Sequence, residues 1–192
     1  MDEGEAHSTW CDTVNGVHTV SVIRRASDTR RDLLEVAREE DLLIFEDDAY
    51  GEIYFSSADR EALRPVKSWD DEGRVIYMST FSKILAAGLR VAWIAGPREI
   101  IRRVELAKET GDLCTSTPSQ RLILEYLKRG LLPAQLDRVR SFYERKAARM
   151  HTALERHFGG MARWNQPQGG LFLWAELLAK TDTLALLRDA VE

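Results

Sequence analysis

"YMSTFSKILAAGLRVAW" occupies residues 77–93 and sets one lysine, Lys83, among the hydroxyls of Ser79, Thr80 and Ser82, with Arg90 seven residues further on. Apolar, β-branched runs flank it: "RVIYMST" before, and "LRVAWIAG" after, the second closed by Gly96-Pro97. Both read as strands, with the lysine in the turn between them. Upstream, "LLIFEDDAY" is an apolar run that ends abruptly in three acids, as a buried strand ends at its carboxyl edge. "YGEIYF" is expected to extend that strand, and "SSADREALRP" to be loop.

Helical patterns surround these strands. "SDTRRDLLEVAREEDL" offers Ser27 or Asp28 as an N-cap and places Leu33, Leu34 and Ala37 on one stripe. "REIIRRVELAKETG" turns Ile100, Ile101, Val104 and Ala107 inward, and "SQRLILEYLKRG" carries Gly130 as a C-cap. A long amphipathic helix, "PAQLDRVRSFYERKAARMHTALERHF", stops at Gly159-Gly160. "GGLFLWAEL" then reads as a strand and "DTLALLRDAVE" as the opening of a helix. Alternating helix and buried strand argues an α/β fold.

The bulk numbers narrow the function. The 192 residues allow one core, or one domain and part of another. Lys plus Arg total 27 against 31 Asp plus Glu, and the net charge of -4 makes no electrostatic case for nucleic acid or an anionic membrane. Cys11 and Cys114 form no metal or disulfide pattern. No run approaches the ~20 apolar residues of a membrane helix, and the acidic start "MDEGEAHSTW" lacks the apolar core of a secretory leader. A soluble cytoplasmic protein is expected.

Strand ends are where open α/β sheets bind ligands. One end here carries Asp47 and Tyr50; the other carries Thr80, Ser82, Lys83 and, past Gly88, Arg90. A carboxylate favours a protonated ring nitrogen, and a tyrosine hydroxyl can bond a phenolic oxygen. A lysine amine can form a Schiff base with an aldehyde. Hydroxyls, turn amides and a guanidinium can hold a phosphate. These are the groups that pyridoxal phosphate (PLP) needs from one face.

"DLLIFEDDAYGEIYF" and "VIYMSTFSKILAAGLRVAWIAGP" resemble the fold-type I, class I/II PLP-dependent aminotransferases, whose large domain is aspartate aminotransferase-like. "DLCTSTPSQ" and "WNQPQGGLFLW" are similar to the 2-aminoadipate, kynurenine and aromatic group, shared with the effector domain of MocR-type regulators. The resemblance covers roughly Ser27 to Glu192. It implies that Lys83 is the Schiff-base lysine, that Asp47 pairs with the pyridine nitrogen and that Tyr50 bonds the phenolic oxygen. Thr80, Ser82 and Arg90 then hold the phosphate. Ala87, where the group usually has proline, and Ala92, where it usually has glycine, depart from the pattern. The implied enzyme transfers an amino group between an amino acid and a 2-oxo acid, and is a homodimer when intact.

Each residue also has a bland reading. Asp47 alone is a helix cap, Tyr50 a core tyrosine, Lys83 a loop lysine, Arg90 a surface ion-pair partner, and Thr80 and Ser82 turn formers. Glu46 and Asp48 read as structural, His151 and His157 as solvated, and Trp10, Trp69, Trp93, Trp164 and Trp174 as packing. The set together favours the cofactor site.

The implied division is residues 27–135 as part of the PLP-binding large domain and 136–192 as the connecting helix and the start of the small domain. Residues 1–26 stay unassigned. The family's glycine-rich phosphate turn, stacking aromatic and Asn-Pro-x-Gly segment find no match there, and the small-domain arginine that binds the substrate carboxylate finds none at the other end. A truncated form of the enzyme is therefore expected. Read in frame, "AAT CCG ACG GGC G" gives Asn-Pro-Thr-Gly; one base later it gives Ile-Arg-Arg-Ala, the sequence of Ile23 to Ala26. An out-of-frame segment and a divergent N-terminus both remain open, as do a non-catalytic effector module and an inactive gene remnant.

Overall fold

A computed structural model describes residues 11–14, 17–20, 27–56, 58 and 63–191. A hairpin pairs β1 (Cys11–Val14) with β2 (Val17–Val20) in antiparallel register. Helix α1 (Ser27–Glu39) leads into a three-stranded sheet of β3 (Ile44–Asp47), β4 (Val75–Thr80) and β5 (Ala92–Ala95), ordered β3-β4-β5. Helices α2 (Arg98–Gly111), α3 (Thr117–Lys128) and α4 (Leu132–Phe158) follow. A second antiparallel pair, β6 (Ala162–Trp164) with β7 (Ala175–Leu177), precedes α5 (Thr183–Val191).

The order of burial explains the sheet. Val75 and Ile76, adjacent in β4 and so on opposite faces, are both fully buried, which marks β4 as the central strand. On one face α1 packs its stripe of Leu34 and Ala37, with Leu33 half-buried beside them, against Ile44, Val75 and Val66. Ser27 is the first residue of α1, so the helix begins at one of the two positions read as its cap. The later helices end as their caps direct. Ser116 accepts the Ser119 N–H at the start of α3, and Gly130, at φ +65, supplies the left-handed residue just past its end.

The crossover from β3 to β4 passes through a 3-10 turn, Val66–Trp69, that Glu46 fastens to the sheet. Its two carboxylate oxygens accept the Val66 and Lys67 N–H groups at 2.7 and 2.9 Å. Burial raises the Glu46 pKa, against the pull of these two donors. A glutamine there would offer one acceptor and turn an N–H₂ toward the other donor. Glu46→Gln is therefore expected to cost about 1–2 kcal/mol, the relief of a buried charge offsetting part of the loss; a lower urea midpoint at unchanged slope would show it.

Several expectations need correction. "YGEIYF" does not extend β3. The Ile53 N–H closes a turn onto Tyr50 O at 2.8 Å, and only Tyr54 makes a bridge, to Gly169. The Asp48 carboxylate occupies the space that a side chain at Gly51 would need, which suits glycine to this turn. In α2, Ile100, Ile101 and Val104 are half-buried but Ala107 is exposed. "GGLFLWAEL" is strand only at Ala175–Leu177, since its partner β6 runs three residues; Phe172 and Trp174 are exposed instead. Trp174 is thus not packing, whereas Trp93, on the edge strand β5, is partly exposed and packs against the Phe81 ring. Trp69 lies under the guanidinium groups of Arg31 and Arg64, while Trp10 falls outside the described residues. His151 is half-buried rather than solvated, edge-on to Trp164 at 6.0 Å and 3.2 Å from the Gln166 amide; His157 is exposed. The unassigned N-terminal stretch contains the β1–β2 hairpin, and residues 21–26, where the frame-shift reading falls, lie outside the described residues.

Candidate active site

Topology gathers the chemistry at one edge. β3 and β4 are parallel, Asp47 opposite Met78, so their carboxyl ends lie side by side. β5 returns antiparallel with Ala92 opposite Thr80, which brings Arg90 to the same edge. Asp47, the turn of residues 81–86 and Arg90 therefore share the edge where open α/β sheets take ligands.

The turn is built to present its lysine. The Leu85 and Ala86 N–H groups both reach Phe81 O, at 2.9 and 3.1 Å. Ile84 is buried and the Phe81 ring lies 4.7 Å from that of Trp93, so Lys83 is left pointing outward and exposed. Its Nζ stands 5.7 Å over the Tyr50 ring, which meets Phe172 edge-on at 5.6 Å.

Beside it, a polar cradle is already closed. Thr80 Oγ1 accepts the Ser82 N–H at 3.0 Å and lies 2.9 Å from Ser82 Oγ. Arg90 donates to Ser82 Oγ and to Ala87 O, each at 3.3 Å. Arg90 has φ +54, a left-handed backbone that costs a non-glycine residue about 1 kcal/mol. Arg90→Gly is accordingly expected to leave the urea midpoint at or above that of the parent. PLP affinity in a titration should fall about 10–100-fold with the loss of the charge-assisted bonds.

Two cavities flank this edge. Asp47, Thr80 and Arg90 line one of about 400 Å³, with Trp93 and Lys108. Ser82 and Lys83 line another of about 830 Å³, whose far wall is α4 with Arg138, Phe142 and Arg145. Five of the residues picked out in the sequence are thus divided between two cavities, with the Arg90–Ser82 hydrogen bond joining the halves, while Tyr50 lines neither and meets the set through Lys83.

Behind the edge the neighbouring acids take structural partners. Tyr77 OH donates to Asp48 Oδ2 at 3.1 Å, and burial together with the Asp48 charge raises the Tyr77 pKa. Arg30, buried in α1, donates to Arg64 O; burial lowers its pKa, against the charges of Glu46 and Asp48. Two contributors escaped the sequence reading. Gly51 makes room for Asp48, and its place directly after Tyr50 was a usable signal. Arg140 grips the segment after Tyr50 from α4, and no local pattern announces it.

A lysine in a hydroxyl-rich turn beside a strand-end carboxylate, on an open α/β sheet, defines a candidate cofactor-dependent enzyme site. The chain belongs to the class I and II aminotransferases, whose family model, "Aminotransferase class I and II", matches residues 26–191. It is 43% identical over 162 residues to aromatic-amino-acid aminotransferase 1 of Thermococcus litoralis, covering 84% of this chain and 38% of that one. A kynurenine aminotransferase from Pyrococcus horikoshii, solved in complex with PMP, KYN as substrates and KYA as products, matches with a TM-score of 0.81 at 40% identity, over 86% of this chain and 40% of that one. An alpha-aminoadipate aminotransferase from Thermus thermophilus, complexed with N-(5'-phosphopyridoxyl)-L-leucine, matches with a TM-score of 0.77 at 37% identity, over 85% and 42%. The chain therefore spans about two fifths of the length of these relatives.

Proposed function

We propose that the chain is the lysine-bearing part of a PLP-dependent aminotransferase that moves an amino group between an amino acid and a 2-oxo acid. The observation that carries this is the single edge holding Lys83, Asp47 and the Thr80–Ser82–Arg90 cradle. The donor set fits the cofactor: one amine, one carboxylate, one phenol, and a guanidinium bonded to the Ser82 hydroxyl, which in turn meets that of Thr80.

PLP, when bound, supplies an electron-withdrawing ring to the substrate's α-carbon. Asp47 would hold a protonated ring nitrogen, and the Tyr50 hydroxyl would donate to the phenolic oxygen. The Ser82 and Thr80 hydroxyls, the turn N–H groups and Arg90 would hold the phosphate. Lys83 would anchor the aldehyde carbon covalently and, once released as a neutral amine, take the proton from the substrate α-carbon. We also infer a cytoplasmic protein that forms a homodimer, a reading that rests on the family resemblance.

The test is to add PLP, record the visible spectrum, reduce with borohydride and map the adduct by mass spectrometry. A stable adduct on Lys83 is the expected result, followed by amino transfer from aromatic amino acids and 2-aminoadipate. No absorption band would mean that the motif is present without a working site.

A further inference from the structure

We infer that Arg140 is the positioning residue for Tyr50, an inference that rests on the proposed bond from Tyr50 to the cofactor's phenolic oxygen. Tyr50 opens a segment that leaves the sheet, so no strand ladder holds it. Residues 52–56 are instead gripped from two sides. From α4, Arg140 Nε donates to Glu52 O at 2.9 Å and a second guanidinium nitrogen to Glu52 Oε2 at 2.9 Å. The guanidinium carbon also lies 3.8 Å over the Tyr54 ring. One helical turn on, Glu144 accepts both the N–H and the hydroxyl of Ser56. From the other side the Phe55 N–H reaches Gln168 O and the Gly170 N–H reaches Ile53 O.

The magnitudes single out Arg140's main-chain bond and stacking. Its ion pair with Glu52, whose side chain is 58% exposed, is worth little alone. The bond to Glu52 O and the stacking on Tyr54 come from a guanidinium side chain only 18% exposed, where both are stronger. A lysine could supply one of these bonds but not the fork and the stack together. The Glu52 carbonyl in turn borders the turn closed by Ile53 N–H on Tyr50 O at 2.8 Å, so holding Glu52 holds Tyr50. The effect ends at the Tyr50 ring, below the Lys83 amine.

A hydroxyl donated to a phenolic oxygen favours its ionised form, so a displaced Tyr50 moves the spectral titration of the PLP complex to higher pH. Lys83 lies over the Tyr50 ring, and Asp47, Asp48 and Glu52 are its charged neighbours along the chain. The test is the visible absorption of the PLP-loaded chain against pH for the parent, Tyr50→Phe, Arg140→Ala, Arg140→Lys and the double variant Arg140→Ala with Tyr50→Phe. Arg140→Ala is expected to raise the midpoint by about half a pH unit, roughly threefold in the equilibrium, with Arg140→Lys between it and the parent. The double variant should match Tyr50→Phe alone, since both changes remove one interaction. A parental midpoint in Arg140→Ala, or in Arg140→Lys should the alanine variant not fold, alongside a shifted Tyr50→Phe, would overturn the inference; so would additive shifts. A parent with no band at any pH would instead remove the cofactor reading on which the inference stands.

Discussion

Lys83→Ala is expected to abolish borohydride-stable attachment of PLP while leaving the fold's stability within about 0.5 kcal/mol of the parent. The two halves of this expectation come from different features of one turn. Lys83 is exposed, and among the described residues its amine makes no hydrogen bond or ion pair; its recorded contact is the face of the Tyr50 ring. Removing it leaves no buried group unsatisfied. The turn itself is held by Ile84, 4% exposed, and by the two N–H groups on Phe81 O, which alanine keeps. The covalent chemistry, by contrast, has no substitute. Lys108 lines the cavity shared by Asp47 and Arg90, but it is bonded to both oxygens of Asp112 at 2.6 and 2.7 Å. Mass spectrometry of the reduced protein decides the matter. An adduct that persists in the variant, on Lys108 or elsewhere, would sink the assignment of Lys83.

Asp70→Ala should be among the most destabilising single changes, at about 2–4 kcal/mol. The Asp70 side chain is 1% exposed and accepts three bonds: from the Lys67 ammonium at 2.8 Å, and from the Arg74 and Val75 N–H groups at 2.9 Å each. Alanine would leave all three donors without this acceptor at the entry to the central strand, where Val75 is fully buried. Burial alone would raise the Asp70 pKa, but the Lys67 ammonium and the two N–H groups outweigh it, and the net shift is downward from 3.8. A carboxyl with a depressed folded pKa contributes stability above its unfolded value and loses it as pH falls through the folded one. The parent should therefore lose this contribution below about pH 4, while Asp70→Ala, lacking it at neutral pH, shows a flatter acid limb. Glu46 acts with the opposite sign: its raised folded pKa favours the folded state at low pH, and that advantage is lost as pH rises through the folded value. Urea titrations at neutral pH and below pH 4 would separate the two, and equal acid limbs in parent and variant would contradict the role given to Asp70.

The candidate site could be read in the sequence because its parts are local. The acids at the end of β3 and the lysine turn after β4 each occupy a few consecutive residues, and the apolar runs beside them mark buried strands. The α1 stripe of Leu34 and Ala37 was equally plain, since helical periodicity reports which face is covered. "YGEIYF" misled for the same reason in reverse. Its composition suits a strand, but the chain turns at Tyr50–Ile53, and "GGLFLWAEL" finds a strand partner only for its last three residues.

The sequence by itself determined the candidate residues for the chemistry, the helices and the strands that flank them, and the family the chain belongs to. The tertiary structure alone decided that β4 is central and β5 an edge, and that Asp47, Thr80 and Arg90 line one cavity and Ser82 and Lys83 another, with Arg90 bonded to Ser82 between them. It alone also placed Arg140 against Glu52, 88 positions away in the chain. Local periodicity records whether a side chain is buried, whereas pairing, register and long-range grip depend on which distant segment supplies the partner.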